Sequence, residues 1–73
     1  MTHKEIANAM IMTDLKEAGF EAVQNMNGDT RVELLNRPIS TIEVVTALRQ
    51  AGYSIAQFAT SRIQDYVIVS AIV

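Results

Sequence analysis

An α+β fold is predicted: one four-stranded antiparallel sheet with two helices on one face, in the order α-β-β-α-β-β. Three observations lead there. The chain repeats itself at an offset of 33 positions, so that residues 12–20 fall on residues 45–53. Thr13/Thr46, Leu15/Leu48, Ala18/Ala51 and Gly19/Gly52 are identical, and Lys16/Arg49 and Phe20/Tyr53 are close in kind. Each copy carries matched signals for starting and stopping a helix. Each helix is then followed by two short apolar segments separated by a turn. The simplest way to bury the apolar stripes of both halves is a single sheet with the helices packed on it. The expected organisation is one domain, residues 1–73, with pseudo-repeats at about 3–35 and 40–73.

The first helix is expected over residues 3–18. Thr2 with Glu5 makes a capping box, in which each side chain satisfies the other residue's free backbone N–H. Gly19 ends the helix in the left-handed conformation of a Schellman motif, with Phe20 placed to pack back on Leu15. The second helix, about 41–51, repeats the device. Ser40 and Glu43 form its capping box, and Ile39 and Val44 have the spacing of a hydrophobic staple. Pro38 keeps Arg37 extended, and Gly52 closes the helix with Tyr53 against Leu48. The expected core stripe is Ala9, Met12, Leu15 and Ala18, matched by Ile42, Val45, Leu48 and Ala51.

The first hairpin is expected from strands at 20–26 and 31–35 around Asn27-Gly28, a pair that suits the two positive-φ positions of a type I′ turn. The second is expected from strands at 53–60 and 66–73 around a longer loop, 61–65. Residues 66–73 are apolar on both faces, as in strands buried on two sides.

Composition narrows the function. At 73 residues a lone core supplies only ~3–5 kcal/mol of net stability, so small chains lean on disulfides, metals or oligomers. There is no cysteine, and the single histidine, His3, lies at a terminus. Self-association is the route left, or a compact monomer with little stability to spare. The net charge is −2 and the six basic residues are scattered, without the basic stripe that phosphate binding requires. No apolar run reaches the ~20 residues of a membrane span, and no signal-peptide layout is present. A complete, cytoplasmic, small acidic protein is expected.

No enzymatic activity is expected, and no cofactor or metal. His3 at a fraying end is a poor base for a triad. Asp29 and Glu33 fall on one side of a strand but read as turn and surface residues. The three glycines read as two helix stops and a turn.

Departures between the copies mark the candidate working surface. Met10 stands where the second copy has Glu43, widening the apolar surface of the first helix to Ile6, Ala7, Met10 and Ile11; a core with Met filling gaps is the alternative. In the last strand, helices on one face leave either Tyr66, Ile68 and Ile72 or Val67, Val69 and Val73 uncovered. The 61–65 loop, with Arg62 and Ile63, reads either as a flexible solvated loop or as a docking anchor. The interface candidates are therefore Met10, Ile11, Arg62, Ile63, Tyr66, Ile68 and Ile72. The expected function is a non-enzymatic protein-interaction module, acting as a homodimer through a sheet face or edge. An inhibitor, adaptor or regulatory subunit fits, small viral blocking proteins among them. A small-ligand regulatory domain is the alternative. The plan resembles ferredoxin-like regulatory domains in laying helices over an antiparallel sheet, but its element order differs from β-α-β-β-α-β and no motif carries over. Single-stranded nucleic-acid binding through the sheet is a third reading; it needs exposed aromatics beside basic residues.

Overall fold

The computed structural model describes residues 1–73. The elements are α1 (His3–Glu17), β1 (Glu21–Gln24), β2 (Thr30–Glu33), α2 (Thr41–Gln50), β3 (Phe58–Ile63) and β4 (Tyr66–Ala71). The strands form one antiparallel sheet in the order β1-β2-β4-β3. Exchanging the two hairpins maps that order onto itself, as a pseudo-twofold between the central strands β2 and β4 requires.

Both helix starts form as the capping boxes dictate. The Thr2 hydroxyl accepts from the Glu5 N–H and Glu5 accepts from the Thr2 N–H, both at 3.1 Å. Ser40 and Glu43 repeat the exchange. The two helix ends are also the same structure. Phe20 N–H donates to Leu15 C=O and Gly19 N–H to Lys16 C=O; Tyr53 donates to Leu48 and Gly52 to Arg49. These are the paired bonds of the Schellman motif, with φ of +100° at Gly19 and +105° at Gly52.

The buried stripe is rotated from the expected one. The buried residues of α1 are Asn8, Ile11 and Leu15, and those of α2 are Val44 and Leu48. Ala18 and Ala51 are exposed, and Ile42 is 77% exposed. A series spaced by three throughout, such as 9, 12, 15 and 18, turns about 60° per step against a 3.6-residue helix and leaves the core side. Steps of three and four stay on one face. The offset of 33 still relates the true stripe, pairing Ile11 with Val44 and Leu15 with Leu48.

Both hairpins connect differently from expectation. Gln24 pairs with Thr30, and Asn25 N–H donates to Asp29 C=O at 2.8 Å, leaving three residues in the loop. Gly28 has φ of +85° and Asn27 is not positive. The turn is therefore a type I turn from Asn25 to Gly28, with the glycine as a bulge, rather than type I′. The Asn25 side chain selects it, since its Oδ1 accepts from the Asn27 and Asp29 N–H groups. The expected long loop at 61–65 is instead a two-residue turn. Ile63 pairs with Tyr66, so only Gln64 and Asp65 lie outside the strands. Gln64 has φ of +52° and is the one non-glycine residue with positive φ, the pattern of a type II′ turn. β3 also begins at Phe58 rather than Tyr53.

One sheet face is covered. Ala22, Thr30, Val32, Phe58, Val67, Val69 and Ala71 are buried beneath the helices. α1 packs on β1, β2, β4 and α2, while α2 packs on β3. The Asn8 side chain completes the sheet. Its Oδ1 accepts from the Ala71 N–H at 2.8 Å, where β4 runs past the end of β2. In the β2–β4 register the position opposite Ala71 is Gly28, which is occupied with the turn.

Candidate interaction surface

β-strand alternation sends every second residue to the far side of the sheet from the helices. Glu21 and Val23 from β1, Arg31 and Glu33 from β2, Tyr66, Ile68 and Ser70 from β4, and Ala59, Ser61 and Ile63 from β3 share this open face. Val23 is 57% exposed and Ile63 is 42% exposed. Ile68 sits at the centre, directly opposite Arg31 and Ser61.

Arg31 organises the polar part. Its guanidinium lies 4.0 Å from the centroid of the Tyr66 ring, a cation–π contact. It also pairs with Glu33 at 3.6 Å. Its Nε is buried with no hydrogen-bond partner, so one donor on this face is unsatisfied. Ser70 donates to Asp29 at 2.8 Å. Both carboxylates raised as a possible pair thus have neighbours: Asp29 has a hydroxyl, Glu33 a cation. No group of three His, Cys, Asp or Glu side chains converges as metal ligands would.

The candidate residues separate into four environments. Tyr66 and Ile68 are half-buried on the open face, and Ile63 is exposed at its edge. Ile72 follows the end of β4, tied by its N–H to the Gln57 carbonyl, and is exposed. Arg62 lies in β3, on the same side as Val67 opposite it, and its Nε donates to the Gln64 carbonyl; it and Ile63 are strand residues and not a loop anchor. Met10 is 57% exposed on α1, so it does not fill a gap in the core. Ile11 is 1% exposed and offers no surface to a partner: four residues before Leu15, it is on the helix's inner side.

Val67 and Val69 are fully buried, so the uncovered set is the one with Tyr66 and Ile68. Val23 and Arg31 belong to the same surface and were not among the candidates. The signal for Val23 is its alternation with Ala22. For Arg31 nothing local points to Tyr66, because their contact depends on β2 pairing with β4.

A second surface lies on α1. Met1, Ile6, Ala9, Met10, Thr13 and Asp14 line an open groove of about 360 Å³. Its one acidic group is engaged, since the Tyr53 hydroxyl donates to Asp14 at 2.7 Å. Burial, then that carboxylate, pushes the Tyr53 phenol up to about 12. Aromatic faces for base stacking are scarce. Phe20 and Phe58 are buried, Tyr53 is tied to Asp14, and Arg31 covers Tyr66. No helix is long and apolar enough to cross a membrane.

No protein-family model, curated protein or solved structure matches the chain.

Proposed function

We propose that this protein is a non-enzymatic interaction module, an inhibitor, adaptor or regulatory subunit, that works as a cytoplasmic homodimer and offers its open sheet face to another protein. The observation that carries the reading is that face. It sets Val23 and Ile68 on either side of Arg31, with Ile63 diagonal to Ile68 and the arginine stacked on Tyr66, and no element of the chain lies over it. Apolar side chains left uncovered among polar groups on one sheet face fit an interaction site, and Tyr and Arg are the residues enriched where binding energy concentrates. The Arg31 side chain is 43% exposed, so the charged end of this pair is open to a partner.

The test is capture from the protein's own cellular context with three tagged forms: wild type, Ile68→Lys and Thr46→Lys. Thr46 is exposed on α2, away from the sheet. A partner retained by wild type and Thr46→Lys but lost with Ile68→Lys supports the open face. Equal retention by all three refutes it.

A further inference from the structure

We propose that two copies of the chain join along the free edge of β3, antiparallel and centred on Thr60, to form one continuous eight-stranded sheet. This deepens the interaction-module reading and rests on it, by naming where the second copy sits.

The edge can be read from the hydrogen-bond alternation. Gln57 and Ile72 are opposite each other in the β3–β4 register, and the Ile72 N–H donates to the Gln57 carbonyl at 2.9 Å. Antiparallel positions alternate between bonded and unbonded pairs. Ala59, Ser61 and Ile63 therefore commit their backbone groups to β4. Phe58, Thr60 and Arg62 aim theirs outward, where no turn, loop or side-chain hydrogen bond meets them.

The two edges of the sheet are unlike. β1 presents four residues and opens on Glu21. β3 presents six, with Arg62 its one charge and no proline; its pairing with β4 runs without a bulge. Exposed edges are normally blunted by shortness, charge, proline or a bulge. β1 is blunted by the first two, whereas β3 is a template for strand addition.

A second copy fits this edge in one register best. A twofold axis normal to the sheet, midway between the two β3 strands at the level of Thr60, sets Thr60 opposite its twin and Phe58 opposite Arg62 at both ends. All three are bonded positions, so the whole outward row is satisfied. Registers displaced along the strand leave outward groups unpaired, and one centred on Arg62 sets two arginines face to face, which is unfavourable. On the open face the same register puts Ala59 beside Ser61 of the second copy, small against small. The contact is isologous and closes at two. It also leaves only the short β1 strands as edges, and it sets the two open faces side by side for one partner.

The test uses sedimentation velocity and cysteine cross-linking, in a chain that has no cysteine of its own. Thr60→Cys should oxidise to a covalent dimer, because twinned bonded positions lie about 5.5 Å apart, within disulfide reach. Arg62→Cys should not, since its twin lies about 13 Å away at four residues of strand rise. Thr60→Pro removes an outward N–H and none of the β3–β4 bonds; it should weaken the dimer about tenfold or more with the circular dichroism unchanged. If Thr60→Pro misfolds, the two cysteine variants decide. A dimer that cross-links equally at both positions, or that resists Thr60→Pro and dissociates with Ile68→Lys, overturns the β3 edge while leaving a homodimeric module standing. A monomer at every concentration overturns the edge and the homodimer together.

Discussion

Two residues carry more of the structure than their types announce. Asn8 is a polar residue in a helix interior, yet it is buried and stands in for the part of β2 that Gly28 turns away. Its backbone carbonyl also accepts from the buried Thr30 hydroxyl at 3.4 Å. Replacing Asn8 with Leu strands the Ala71 N–H without a partner, and such a loss costs about 1–3 kcal/mol. Urea denaturation should show that drop, with Thr41→Leu, the aligned position on α2, closer to neutral. Gln64 is the reverse case, a residue in the left-handed region that glycine tolerates better. A side chain there is disfavoured by roughly 1–2 kcal/mol, part of which the more flexible unfolded chain of a glycine variant offsets. Gln64→Gly should raise the denaturation midpoint, and Gln64→Val should lower it. Neither role could be read from local sequence. Asn8 sits among apolar residues without a cap or turn to explain it, and Gln64 is not a residue that announces a tight turn.

At the scale of elements the helix ends are the most determined parts of the molecule. Each capping box and each Schellman closure involves residues within six positions of one another, so local pattern was enough to place them. The start of α2 adds an ion pair: Arg37 grips the Glu43 carboxylate with two guanidinium nitrogens. That hydrogen-bonded cation, followed by the Ser40 N–H, holds the Glu43 carboxyl at about 2 against an ordinary 4.5. A depressed carboxylate contributes stability that is complete above its unfolded value and is lost as pH falls toward its folded one. Acid unfolding should therefore steepen between pH 4.5 and 2, and Glu43→Gln should flatten that limb. Tyr53 works in the opposite sense. Its phenol is raised from 10.0 to about 12, so its contribution is complete below pH 10 and declines as pH climbs to about 12. In Tyr53→Phe the alkaline decline should shrink. The hairpins were less legible than the helices. Asn27-Gly28 correctly marked a turn, but the Asn25 side chain chose its type. The second turn shortened to two residues because β3 and β4 zip up as far as Ile63 and Tyr66.

For the whole molecule, the asymmetry between the halves is spatial as well as textual. The first hairpin is short, with strands of four residues, and the second has strands of six. The longer pair supplies Ile68 and Tyr66 at the middle of the open face and leaves β3 as the long edge. An open face and an unblunted edge on one small chain predict that association adds to stability. The thermal midpoint should rise with protein concentration, as mass action requires when only the native state associates. In Thr60→Pro the midpoint at a given concentration should fall; a midpoint constant across a hundredfold concentration range in the wild type would contradict a dimer.

The sequence by itself determined the class of fold, the element order, both helix starts and stops, and the existence of two hairpins, because each is written within a few residues. It also indicated that one face of the last strand would be left over. Only the tertiary structure decided which face. Strand order and register are set by long-range pairing, and that pairing buried Val67 and Val69, turned Ile68 outward and brought Arg31 onto Tyr66. Packing of α1 on the sheet withdrew Ile11 from the surface, and the β3–β4 pairing moved Arg62 and Ile63 from a loop into an edge strand. Which residues share a face depends on partners more than thirty positions away, and no local pattern encodes them.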